Sequence, residues 1–177
     1  MIFLNKIFVF LTIIMFAFNG NSQSLETQFS YGFPGGDAKD LISYNFSGDI
    51  AYMIPVKFNR KDDEDDPYDR VIGNKHIGID IGVSAGYSYS VGKEGLDDFQ
   101  FLPIAAVPRI TYFKLFSLSF PIGYAIGLNP DVSSGGFYGG PNFAISGKKL
   151  SFNLSLRMIN LDGLYWRTIN IGLGYKF

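Results

Sequence analysis

The chain has 177 residues, with 15 basic side chains against 16 acidic ones and no cysteine. That balance lacks the basic footprint of a nucleic-acid binder, and the missing thiols exclude a disulfide framework and thiolate metal sites. Aromatic residues make up 17% of the chain and glycines number 21.

The first residues read as a cleavable export signal. Lys6 supplies the positive region, Ile7 to Phe18 is almost wholly apolar, and Gly20-Asn21-Ser22 is a small-x-small cleavage site. The apolar run is shorter than the roughly 20 residues that cross a bilayer as a helix. Cleavage after Ser22 divides the chain into a signal peptide, 1–22, and a single domain, 23–177. Losing Lys6 leaves the domain slightly acidic. No later stretch is apolar enough for a membrane helix, so an exported chain rich in aromatics and glycine points to β structure.

Apolar residues then alternate with small or polar ones, the period-two signature of strands with two unlike faces. Leu25, Thr27, Phe29, Tyr31 and Phe33 oppose Glu26, Gln28, Ser30 and Gly32. Ile42, Tyr44, Phe46, Ile50, Tyr52 and Ile54 oppose Ser43, Asn45, Ser47, Asp49 and Ala51. From Ile77 to Tyr89 the odd positions are apolar and the even ones are Gly, Ser or Asp80. Phe99 to Phe113 is mixed and contains Pro103 and Pro108. Setting Leu102, Ile104, Ala106, Ile110 and Tyr112 outward turns Arg109 inward. Leu118 to Leu128 alternates cleanly. Phe137 to Ser146 is Gly-rich, with Phe137, Phe143 and Ile145 outward. Leu150 to Met158 alternates against Ser151, Asn153, Ser155 and Arg157, and Ile169 to Phe177 alternates to the last residue. These are eight strands.

The polar faces carry mostly Gly, Ser, Ala and Asn, which suit a narrow lumen better than a watery surface. The opposite faces form the continuous apolar band that lipid demands. The expectation is an all-β fold, an eight-stranded antiparallel up-and-down transmembrane β-barrel in the cell outer membrane, surrounded by outer-membrane lipid. Closure follows because an open edge in lipid would leave backbone groups unpaired. Tyr87, Tyr89, Tyr165, Trp166, Tyr175 and Phe177 are expected in the interfacial girdles. Tight turns are expected at Lys114-Leu115-Phe116 and Gly147-Lys148-Lys149, and longer loops at Pro34–Asp40, Gly92–Asp98 and Asn129–Gly135. Strand parity puts the long acidic segment, 61–70, on the short-turn, periplasmic side. A hairpin at Ser47-Gly48-Asp49 would reverse that but give nine strands and separate the termini, so it is set aside.

The chain resembles the small porin-like outer-membrane β-barrel proteins common in Bacteroidota-type bacteria. The resemblance rests on Tyr87-Ser88-Tyr89, Phe101-Leu102-Pro103-Ile104, Gly135-Gly136-Phe137-Tyr138 and the closing Gly172-Leu173-Gly174-Tyr175-Lys176-Phe177. It implies an assembly signal at Ile171, Leu173, Tyr175 and Phe177, read by the barrel-assembly machinery.

Chemistry is sparse. Glu26, Asp49, Asp80, Arg109, Arg157 and Lys176 fall on the inward face, where buried charges must be paired. They read as a structural lumen charge network, with a selective path for a small solute as the competing reading. His76 is the only histidine. Asp80 and Ser84 follow it at i+4 and i+8 on the same strand face, about 13 Å and more along the strand, too far to share a proton with it. The run Asp62–Asp66 fails as an EF-hand, since Pro67 stands where glycine is required and Gly73 where the bidentate Glu belongs. No catalytic residue, metal ligand or cofactor is expected. The leading function is a non-enzymatic barrel, structural or an accessory subunit of an envelope assembly with an envelope protein partner. The alternatives are a narrow channel or ligand-binding barrel and, behind it, a lipid-modifying enzyme.

Overall fold

A computed structural model describes residues 24–56, 77–129, 134–161 and 163–177. Residues 1–22, expected to be a signal peptide, lie outside the described residues, as do the acidic run and His76.

Eight membrane-crossing strands form the wall. They are β1 (Ser24–Gly36), β2 (Ile42–Pro55), β3 (Ile77–Gly92), β4 (Phe99–Tyr112), β5 (segments Phe116–Ser119 and Ile122–Gly127), β6 (segments Gly135–Gly139 and Asn142–Ser146), β7 (Leu150–Leu161) and β8 (Leu164–Lys176). Each pairs antiparallel with its neighbour in sequence, and β8 returns to β1 from Glu26↔Lys176 to Gly36↔Trp166. The sheet therefore closes without an edge, as lipid requires. Six strands are 12 to 16 residues long, ample for a tilted crossing of roughly 9–11 residues. β2 runs unbroken through Ser47-Gly48-Asp49, so no hairpin forms there.

The outward faces are greasy on every strand. Phe29 is 71% exposed, Val83 61% and Leu173 65%, with Ile50, Ile110, Leu118, Phe137 and Leu150 continuing the band around the wall. Such a belt would be untenable in water and is what a bilayer solvates. Leu102, Ile104, Ala106, Ile110 and Tyr112 point away from the lumen while Phe101, Ala105 and Val107 are buried inside it.

Prolines interrupt β5 and β6. Pro108, Pro121 and Pro141 each accept a backbone hydrogen bond from the next strand, from Phe120 (3.0 Å), Gly140 (3.3 Å) and Leu156 (3.0 Å). None has an N–H to return, so three neighbouring strand pairs each lose one ladder bond while the register runs on unshifted.

Four expectations need correction. Ile42 is fully buried rather than lipid-facing, because the β2–β3 register shifts between Ile42 and Tyr44 and turns its side chain inward. Trp166 is 3% exposed and lies inside the barrel, not in a girdle. The turn after β4 is Phe113-Lys114-Leu115, with Phe113 and Lys114 in the left-handed region at φ 53° and 55°, and Phe116 already in β5. In place of a loop over Pro34–Asp40, β1 runs on to Gly36 and a single helical turn, α1 (Ala38–Leu41), folds into the barrel mouth.

Candidate functional site

Among the described residues the lumen is the one place where polar chemistry is enclosed, and it changes character along the axis. At the loop end, beneath α1, its side chains are apolar. Ala38, Ile42, Phe101, Ala105, Ala125, Tyr138, Ile159, Leu161 and Trp166 form one buried cluster, flanked by Leu41 and Phe99. The Trp166 ring lies 4.8 Å from that of Phe99 and 5.6 Å from that of Phe101, the latter edge to face. Asp37 ties α1 down: its carboxylate accepts from the Tyr165 N–H at 2.7 Å, and Lys93 N–H donates to the Leu41 carbonyl at 2.9 Å. This end is sealed by packing. Each large side chain buried there contributes about 1.5–3 kcal/mol.

Below the seal lies a belt of amides and hydroxyls. Asn45 donates to Ser88 Oγ (2.8 Å), Ser90 Oγ (2.9 Å) and the Tyr89 carbonyl (3.1 Å), and Asn170 donates to Thr168 Oγ1 (3.1 Å) and the Thr168 carbonyl (3.0 Å). Ser30 and Ser47 share a hydrogen bond of 2.7 Å. Gly32 and Gly86 make room for these groups, since a Cβ at either would collide with Asn170 Oδ1 or Asp49 Oδ1.

Two ion pairs brace the lumen beneath the belt. Arg109 on β4 binds Glu26 on β1 through both terminal nitrogens, at 2.8 and 2.7 Å. Arg157 on β7 donates to Asp49 on β2, at 3.4 Å from Nη1 and through a close contact from Nη2, and Nη2 also reaches Ser30 Oγ at 3.4 Å. Each pair joins strands three apart around the ring, so each crosses the lumen rather than running along the wall. Bidentate Arg–carboxylate geometry suits this task because it fixes orientation as well as distance.

The six inward charges predicted from the sequence thus resolve into two pairs and two remaining residues. Asp80 stands opposite Arg109 in the β3–β4 register, yet Arg109 turns across the lumen to Glu26. Asp80 keeps a hydrogen bond from Thr111 Oγ1 at 3.3 Å. Lys176 stands opposite Glu26 in the β1–β8 register, is exposed at the terminus end, and has no ion pair among the described residues. Ile171, Leu173, Tyr175 and Phe177 all sit exposed on the lipid face of β8, with the Tyr175 and Phe177 rings edge to face at 5.0 Å.

Beyond the braces the lumen opens at the terminus end as a cavity of about 100 Å³. Tyr138 forms its boundary with the apolar seal, and serines and asparagines line its walls. The sequence reading missed Lys149, Asn142 and Tyr138 there. Strand parity was a usable signal for Asn142 and Tyr138, and Lys149 was hidden as a turn residue.

Among the described residues outside the membrane-crossing segments, one carboxylate is perturbed. Asp98, in the loop between β3 and β4, accepts from the Tyr89 hydroxyl and from the Gly92 N–H at 2.9 Å. The Tyr89 hydrogen bond foremost, and then that of Gly92, hold its carboxyl below the ordinary carboxylate range.

Among solved structures, the chain is similar to the Yersinia pestis outer-membrane protein Ail in a phospholipid bilayer nanodisc. The TM-score is 0.52 and the identity 16%, over 88% of this chain and 100% of that one. The fold is that of an outer-membrane barrel. With the lipid-facing belt, it makes this chain an integral outer-membrane β-barrel protein. The crystal structure of Ail with the heparin analogue sucrose octasulfate gives 0.49 and 16%, over 88% of this chain and 97% of that one, and adds no weight to the likeness. No protein-family profile and no curated protein matches the sequence.

Proposed function

We propose that this barrel is a non-enzymatic, non-conducting protein of the outer membrane, structural or an accessory subunit of an envelope assembly. The observation that carries the reading is the seal beneath α1. An apolar plug built on Trp166, Phe101 and Ile42 stands across the lumen, and two crossing ion pairs stand behind it. An ion entering such a plug would lose its hydration without replacement, at a cost of several kcal/mol. A lumen filled by its own side chains is also what eight strands generally enclose.

On this reading Ile171, Leu173, Tyr175 and Phe177 form the signal for the barrel-assembly machinery, the terminus end faces the periplasm, and the motifs shared with Bacteroidota-type barrels mark the narrower kinship. The ligand-binding alternative is favoured by one feature, the blind polar cavity at the terminus end.

The test has two readouts. In planar bilayers the purified barrel should stay silent at every voltage, and unitary current steps would overturn the non-conducting reading. Mild detergent extraction of native membranes should co-purify a partner at constant stoichiometry. Recovery of a lone barrel from every extraction would overturn the accessory role.

A further inference from the structure

The terminus-end cavity is lined by two carboxylates, Glu26 and Asp49, and by four cations, Arg109, Arg157, Lys149 and Lys176. The carboxylates are taken up by the two arginines. Lys149 and Lys176 stand at the mouth without a carboxylate within 4 Å among the described residues, and Lys149 Nζ rests 5.8 Å over the Tyr175 ring. The lining thus carries four cations against two carboxylates, with Asp80 beside Arg109 as the nearest further acid. Donors inside the cavity are idle as well. Arg109 Nε is buried without a hydrogen-bond partner, and Ser155, 6% exposed, has no partner for its hydroxyl; the one idle acceptor among the described lining residues is Asn142 Oδ1. Buried donors left unmade cost about 1–3 kcal/mol each, so a group that satisfied them would be held.

We propose that this cavity binds a small oxyanion, a phosphate or carboxylate group that enters from the terminus side. Lys149 and Lys176 draw it to the mouth, and the serine and asparagine walls with the free edge of Arg109 hold it. Size sets the class. A space of about 100 Å³ has room for several waters, and so for a phosphate or an acetate-sized carboxylate. The bound group is either a free ion or the anionic end of a larger molecule. The apolar seal closes the far end, so the site holds its ligand and does not pass it on. In that respect the proposal rests on the non-conducting reading.

The experiment is amide NMR titration of the full barrel in nonionic micelles, with sodium phosphate, sodium acetate, short-chain phosphatidic acid, and sodium chloride at matched ionic strength. Saturable shifts are expected at Ser155, Asn153 and Lys176 with phosphate or acetate and not with chloride. The combined variant Lys149→Gln/Lys176→Gln should weaken binding about tenfold, the equivalent of one lost charge-assisted hydrogen bond. Both lysines are exposed, and unchanged heat-dependent gel mobility will verify that the variant folds. Saturation by phosphatidic acid but not by the free ions would support the site with a lipid headgroup as its source. No saturable shift with any oxyanion, or a double variant that binds like the parent, would overturn the proposal. Bilayer conductance is a separate readout, so failure of the oxyanion site leaves the seal intact, and current through the lumen would expose failure of the seal itself.

Discussion

The two ends of the lumen are enclosed by the same eight strands and built by the same alternation, yet they are closed by different physics. The loop end is shut by apolar packing, with Ile42, Phe101 and Trp166 excluding water from one another. The terminus half is held by Glu26–Arg109 and Asp49–Arg157, two charge pairs that brace opposite walls. Polar atoms stay unpartnered there at Asn142, Ser155 and Arg109, and in the belt beneath the seal at Asn45 and Asn170. Apolar packing completes itself, whereas a polar interior must be paired, hydrated or ligated. The barrel therefore has one end closed by apolar packing and one that opens as a polar cavity, and both functional readings follow from that asymmetry.

The sharpest way to break the comparison is to strand a charge. Asp49→Ala leaves the Arg157 guanidinium buried without its partner, and unfolding in detergent should show a loss of about 3–5 kcal/mol. Asp49→Ala combined with Arg157→Met should recover most of it. A single variant as stable as the parent would mean that the pair does not brace the wall.

A somewhat smaller effect tests the seal. Ile42→Ala removes a fully buried side chain and should cost about 2–5 kcal/mol in the same assay. Had Ile42 faced lipid, as plain alternation predicts, the loss would be the transfer term alone, about 0.8 kcal/mol for each of the three carbons removed, at the low end of that range. A loss well above that transfer term places Ile42 in the packed seal, and a loss no larger than it would put the side chain against lipid.

The smallest effect lies outside the membrane, at Asp98. Its carboxyl is depressed in the fold, so its contribution is present above the ordinary carboxylate pKa and is lost as pH falls through the lowered value. Tyr89→Phe removes the leading cause and should raise the Asp98 pKa toward the ordinary range, read by carboxyl-carbon NMR. An unmoved titration would show that the Gly92 N–H alone sustains the shift.

Much of this was legible from residues alone because a two-residue period is local. Phe29, Val83 and Leu173 announce the lipid face, and Arg109 and Arg157 announce the lumen, through their immediate neighbours. Other features were not local. Ile42 follows the alternation of β2 and still turns inward, because the bulge beside it is a property of its pairing with β3. Trp166 sits on the lumen side by parity, opposite Ile169, but its aromatic character suggested an interfacial girdle. Only the ring of packing with Phe99 and Phe101 explains why it is inside. Phe113 and Lys114 adopt left-handed backbone without the glycine that normally marks it.

By itself, then, the amino-acid order determined eight strands, a lipid belt and a lumen holding three acids and three bases, since each of these depends on neighbours along one strand. Which charges meet was decided by the tertiary structure. Asp80 is the cross-strand neighbour of Arg109, yet Glu26, three strands away around the ring, takes its guanidinium. Closure of the barrel brings those walls within reach, and no pattern along a single strand encodes what lies across an enclosed space.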